Sequence, residues 1–347
     1  MIFILIFLLF VCLKNIKFYS LKNNASFNKN AFSKDFSQTI NGIFVLLVFL
    51  SHFSQYVVEV FVFDKVALLF LKFLGQCINC SFLFYSGFGI CEQLKQNQNE
   101  YCKKLILKRF PTLFLRFDFC VFLYLILSFI LEKNYSVQKI LLSFVGIESI
   151  GNSSWYIFYI LLCYILVFLC FKIFKNQKIA VFTFTFVMIF YTILMFCFCK
   201  EKTAYYLTTL IFPFGMIFSL YKEKIQNLLL KKYVLFLIFS FGLYFLSFFI
   251  RRKFNLSEPF YNFTAIFFSM ILIVLTLKIE IKSKVLAFLG NNVFYIYILQ
   301  RLPMICWSEI CGGGCKKNSY LLSLIFCFVV TLILTFLIKN FFKKIHL

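Results

Sequence analysis

The chain is 347 residues long, 62% hydrophobic and only 14% charged, with a formal charge of +23. That composition lies outside the soluble globular range and points to a protein that crosses a membrane many times. The positive charge sits in short segments between apolar runs, so it reads as a topology signal, and no nucleic-acid partner is expected.

Residues 1–13 are apolar but short for a span, and they lack the basic start and cleavage site of a signal peptide. They are expected to form a tilted extra helix or an interfacial anchor. With the basic stretch that follows, they make up an N-terminal segment, 1–37, ahead of a membrane domain, 38–347. The first full run covers residues 43–63. Further runs follow at 66–90, 113–131, 154–174, 179–199, 203–221, 233–250, 259–278, 287–307 and 319–338. Most approach the ~20 residues that a helix needs to cross the hydrocarbon core. The expected fold is all-α: a polytopic bundle of about ten spanning helices, because lipid tolerates only helices or closed barrels and these runs are too long for barrel strands.

Basic segments at 14–34, 95–109, 172–178, 222–232, 278–284 and 339–344 alternate with less basic ones at 64–65, 132–153, 200–202 and 309–317. Loop 251–258 is the poorest fit, with three basic residues on the side assigned as outer. The bias predicts a multi-pass protein of the cell membrane, in contact with the lipid bilayer, with residues 14–38 and the C-terminus in the cytoplasm.

His52 lies near the middle of run 43–63, and the chain has one other histidine, His346. An ionisable group at membrane depth is costly unless paired or solvated, so it marks a functional site by default. Helical spacing puts Gln55, Tyr56 and Glu59 on its face, a polar stripe that must avoid lipid. The structural alternative is a polar seam between helices. Lys103, Lys104, Lys108, Arg109 and Arg116 form a second constellation. Lys108, Thr112 and Arg116 share a helix side, and Asp118 is a candidate partner for Arg116. Arginine forks suit the phosphates of coenzyme A, whereas topology and lipid contact explain the same charges without a ligand. Ser86-Gly87 offers small residues for close helix packing, and Trp155 opens a span as an interfacial anchor would.

The 14 cysteines are scattered through apolar runs, so no disulfide framework is expected. Cys77 and Cys80 read as packing residues. Cys311 and Cys315 bracket three glycines in an expected outer loop, where a local disulfide is open. No zinc spacing, Gly-rich phosphate loop or nucleophile elbow appears, and no metal is expected.

These features, in this order, resemble the acyltransferase 3 family of integral-membrane O-acyltransferases, over about residues 38–340. The family's opening Gly followed by an apolar helix ending in histidine matches Gly42 through His52. Its F-x-x-S-G-F/Y-x-I segment is matched within Phe82 through Ile90, at Ser86-Gly87-Phe88 and Ile90, with Phe82 one residue further upstream than the pattern puts it. Its basic segment matches Lys108-Arg109-Phe110-Pro111 with Arg116 following. Its Trp-led helix matches Trp155 with Tyr164 nine residues on, and its late L-G signature matches Leu289 through Tyr297. The chain departs at Asn41, where many members carry Arg or Lys, and at Ile160, where many carry Glu. It departs again at Gln300, beside Arg301, where a late histidine is common.

The resemblance implies transfer of an acyl group, usually acetyl, from cytoplasmic acyl-CoA to a hydroxyl of a carbohydrate on or bound for the cell surface. Acyl-CoA is then a donor substrate, and no resident cofactor is expected. His52 would act as general base or acyl carrier, helped by Tyr56 and Glu59. Lys108, Arg109 and Arg116 would hold the donor, with Ser86, Trp155, Tyr297, Gln300 and Arg301 as further cavity candidates. The competing classes are a transporter that uses His52 as a proton relay and a non-catalytic scaffold. No internal repeat supports the transporter.

Overall fold

The computed structural model describes residues 2–14, 16–21, 25–58, 62–254, 258–314 and 320–345. In chain order the elements are α1 (Ile2–Lys14), β1 (Ile16–Phe18), α2 (Lys34–Phe53), α3 (Val62–Leu74), α4 (Cys80–Gln96), α5 (Gln98–Lys104), α6 (Phe110–Ile130) and α7 (Val137–Phe144). Then come α8 (Trp155–Ile173), α9 (Gln177–Phe198), α10 (Ile211–Leu220), α11 (Lys222–Lys231), α12 (Tyr233–Lys253) and α13 (Tyr261–Lys278). The chain ends with β2 (Ile279–Ile281), α14 (Lys284–Asn291), α15 (Val293–Leu299), α16 (Arg301–Ile310) and α17 (Tyr320–Lys344).

The all-α, membrane-spanning expectation holds. Among the described residues, eight helical segments are long and apolar enough to cross a bilayer. A ninth, α14 through α16, is bent by 67°. Run 203–221 shortens to α10, of 10 residues, because a turn at Thr203–Tyr205 and the segment after it take up its first half. Helix α1 packs against α3 and is not among the spanning helices. Large side chains stand exposed around the bundle, among them Phe129 (85%), Phe198 (80%) and Ile238 (67%). Such a belt belongs against lipid, not water.

Two glycine contacts hold the centre together. A Cβ on Gly42 of α2 would overlap the Leu286 carbonyl of α14, and one on Gly290 of α14 would overlap the Gln38 carbonyl of α2. A Cβ on Gly87 of α4 would meet the Phe212 carbonyl of α10, and one on Gly215 of α10 would meet that of Phe84. Without a hydrophobic drive between helices in lipid, such backbone-to-backbone packing is a main source of association.

The basic segments gather at one end. Strand β1 pairs antiparallel with β2, Ile16 facing Ile281. Lys278 Nζ donates to the Ser20 and Ser26 carbonyls at 2.7 and 2.6 Å. Gln98 donates to the Phe171 carbonyl at 2.9 Å, and Lys95 to that of Ser219 at 3.0 Å. The segments of weaker charge meet elsewhere: Lys133 with Glu309 (2.7 Å), Lys202 with Glu148 (2.6 Å) and Tyr206 with Glu258 (2.5 Å). Through Glu258, loop 251–258 joins this second group despite its arginines.

Gly42→Ala should therefore destabilise the protein by about 1–3 kcal/mol through overpacking against α14. Gly242→Ala, where a Cβ meets open space, should be neutral or stabilising by up to about 1 kcal/mol. Thermal unfolding of the detergent-solubilised variants measures both. Equal melting temperatures would show that the α2–α14 contact is not a tight one.

Candidate functional site

Helix α2 starts at the Ser33 cap, whose side chain accepts from the Phe36 N–H. It ends at Phe53, where the chain tightens into a 3-10 turn, Ser54–Tyr56, and Val57 is extended. His52 thus comes at the end of the helix. The distance from Lys34 is ~27 Å at 1.5 Å per residue, so His52 lies toward the far end of its span and not mid-span. The run of apolar residues after Tyr56 does not continue the helix, which is why hydropathy alone centred the span too late.

His52 Nδ1 lies 2.9 Å from Gln300 Nε2, at the junction of α15 and α16. The same Nε2 donates to the Tyr297 carbonyl at 3.0 Å. A carbonyl only accepts, so the Gln300 amide is oriented by Tyr297 and presents its second N–H to His52. His52 Nδ1 is then the acceptor, and the neutral ring carries its proton on Nε2. Gln300 is fully buried, and its Oε1 has no hydrogen-bond partner among the described residues. An orphan acceptor of this kind costs about 1–3 kcal/mol.

The His52 ring lies 6.0 Å from that of Tyr297, and Tyr297 lies 5.3 Å from Tyr156. Ser86 of α4 sits beside the Tyr156 hydroxyl, and Trp155 packs edge-on against Tyr156 at 5.9 Å. An aromatic chain thus links His52 to Ser86. On the other side, Arg301 Nη2 donates to Gln55 Oε1 at 2.8 Å and its Nε donates to the Tyr56 hydroxyl at 3.3 Å. Gln55 and Tyr56 stay near His52, but on a 3-10 turn held by Arg301 and not on a continuous helical stripe. Glu59 lies outside the described residues. Tyr56 also lines a cavity of about 220 Å3 with Tyr124, Ser128, Lys133, Tyr135 and Glu309.

Lys108, Arg109 and Arg116 come together as the spacing predicts, whereas Lys103 and Lys104 do not line their cleft. Lys108, Arg109, Thr112 and Arg116 line a cleft of about 750 Å3 with Tyr164, Tyr295, Lys339 and Lys343. A π-helical turn at Leu105–Arg109 introduces α6, and the Phe110 N–H bonds the Leu105 carbonyl five residues back. Pro111 has no N–H to continue the ordinary ladder there, so the wider turn is a natural outcome. The Arg116 guanidinium lies over the Tyr295 and Phe342 rings, at 5.9 and 5.7 Å. Asp118, two residues on, is ~200° further round the same helix, so the expected pairing with Arg116 is unfavourable. Arg109 and Tyr164 also line a second cleft of about 490 Å3 that reaches Ser86.

Sequence reasoning missed Lys339 and Lys343, whose charges topology explains equally well. It also missed Tyr124 and Ser128, which carry no signal beyond their place in an apolar run. Cys77 and Cys80 are buried, as packing residues should be, and the Cys77 thiol lies 3.4 Å from the Tyr261 hydroxyl. Cys315 and His346 lie outside the described residues. No group of metal-ligating side chains occurs among the described residues.

The family model described as "Acyltransferase domain" matches residues 39–340. No curated protein and no solved structure matches the chain.

Arg301→Ala should free the Ser54–Tyr56 turn and lower stability by about 1–2 kcal/mol, since part of this contact is exposed to solvent. Backbone hydrogen exchange at 54–58 should quicken. Exchange at the wild-type rate would mean that the turn does not depend on Arg301.

Proposed function

Because the chain belongs to the acyltransferase 3 family of membrane acyltransferases, we propose that it moves an acyl group, acetyl in our reading, from cytoplasmic acyl-CoA to a hydroxyl of a cell-envelope or exported polysaccharide or glycolipid. The observation that carries this reading is the position of His52. It is joined through Tyr297 and Tyr156 to the clefts that share Arg109, and it neighbours the Arg301–Tyr56 pair at the tyrosine-lined cavity.

On this reading the cleft of Lys108, Arg109 and Arg116 takes the phosphates of the donor, with Lys339 and Lys343 adding charge. The acceptor hydroxyl approaches from the side of Tyr56. His52 removes its proton as the oxygen attacks the acyl carbon. The carbon–sulfur bond breaks, the thiolate leaves with that proton as free CoA, and an ester remains. In the acyl-carrier version the ring nitrogen attacks first and the hydroxyl second.

Gln300 constrains both routes. With the amide set by Tyr297, the Nδ1 lone pair is occupied and Nε2 holds the ring proton. Action at Nε2 needs the proton to move to Nδ1, which breaks the hydrogen bond that Nδ1 accepts from Gln300. The transporter reading is less well supported, because the hydrogen-bond partner of His52 in this structure is an amide that does not titrate.

His52→Ala should abolish acyl transfer while the protein still inserts in the membrane. Normal O-acylation of the surface glycan in that strain would contradict the proposal. Arg109→Ala should raise the donor KM by about 10- to 150-fold, the equivalent of about 1.5–3 kcal/mol for a lost charged hydrogen bond. Stabilisation of the purified protein by a solute alone, and not by acetyl-CoA, would favour transport.

Sidedness gives an independent check. Native Cys102 is buried and makes a poor reporter. A cysteine placed at exposed Lys104 should react with an impermeant thiol reagent only after permeabilisation, whereas one at exposed Gln138 should react in sealed cells. The reverse pattern would put the basic cleft outside, away from the acyl-CoA pool.

A further inference from the structure

At the end where the basic segments gather, a polar cleft of about 880 Å3 is lined by Lys14, Asp35, Thr39, Glu280, Lys282 and Lys284, among others. Beside it is a pocket of about 240 Å3 whose lining, including Leu8, Leu46, Phe49 and Leu332, is wholly apolar. Val11 of α1 and Val285 of α14 line both, so the two spaces adjoin across these side chains. We propose that this groove between α1, α2 and α14 binds a membrane phospholipid with an anionic headgroup.

The dimensions fit one leaflet. Thr39 lines the polar part and Phe49 the apolar part, ten residues apart on α2. That is ~15 Å of helix, about half of the ~30 Å hydrocarbon core. An occupant of both spaces has its polar end among the basic loops and its hydrocarbon end near the mid-plane.

The charges select the headgroup. Glu280 is engaged by Tyr19 at 2.8 Å and Lys282 at 3.3 Å. Burial opposes its ionisation, but those hydrogen bonds outweigh burial and hold its carboxyl below the usual value. Lys14, Lys284 and Asp35 enter no ion pair among the described residues and all three are exposed on the cleft, which therefore keeps a net positive charge once Lys282 and Glu280 cancel. A phosphodiester supplies the missing counter-charge. Free phosphate would leave the apolar pocket empty. A neutral lipid would gain nothing over the bilayer, because chain burial in the groove and in the membrane are equally apolar. Preference must therefore come from the headgroup, and for one net positive charge near the surface it should be about 5-fold, the equivalent of about 1 kcal/mol. The site also gives α1, which does not span, a structural purpose as one wall of the groove.

Native mass spectrometry of the full-length protein, released from detergent with defined lipids, tests this. Phosphatidylglycerol should be retained about 5-fold better than phosphatidylcholine with the same acyl chains. K14E/K284E should lose the preference, and V285W, which fills the neck between the two spaces, should lose retention of both lipids. Inorganic phosphate should not displace the bound lipid. Equal retention of the two lipids, a preference that survives K14E/K284E, or displacement by phosphate would each overturn the proposal. If K14E/K284E does not fold, V285W decides: full phosphatidylglycerol retention in that variant overturns it.

Discussion

The backbones of α2 and α14 touch at Gly42 and Gly290, and that contact decides where His52 can be. Each glycine faces a carbonyl of the other helix with no room for a Cβ. Two residues after Gly290 the chain bends away from α14 into α15, and the junction of α15 with α16, ten residues after Gly290, leaves Gln300 against His52. The bond that orients the imidazole therefore depends on a packing contact about three turns away on α2. The same holds on the far side of α4, where Gly87 and Gly215 fix the helix that carries Ser86.

One set of polar groups inside this bundle is arranged in a line. Lys108, Arg109 and Arg116 open one end, Tyr164 and Ser86 follow, and Tyr156 and Tyr297 lead to His52. Beyond it, Arg301 draws Gln55 and Tyr56 together. Each such group is expensive away from water. A purely structural seam needs fewer of them.

Much of this was legible in the sequence. Spanning helices leave a hydropathy signal, and Lys108, Arg109 and Arg116 were grouped as they stand because helical spacing carries from Lys108 to Arg116, although Lys103 and Lys104 of α5 do not join them. The glycines at 42, 87 and 290 were legible as motif positions, and the structure supplies their reason. Other features were not legible. The end of α2 was misplaced because apolar residues continue past a turn that hydropathy does not register. The pairing of His52 with Gln300 spans 248 positions, beyond any local period. Lys339 and Lys343 looked like topology determinants because a charge beside a span serves that purpose whether or not it also lines a cleft.

The account stands on the His52–Gln300 bond, and the chain has only one further histidine, His346. In a His346→Gln variant labelled with 15N-histidine, solid-state NMR in a bilayer reads His52 alone. The account predicts a neutral ring protonated on Nε2, with Nδ1 shifted as a hydrogen-bond acceptor, and loss of that shift in Gln300→Leu. A ring protonated on Nδ1 in the resting protein, or an Nδ1 signal indifferent to Gln300→Leu, would contradict it.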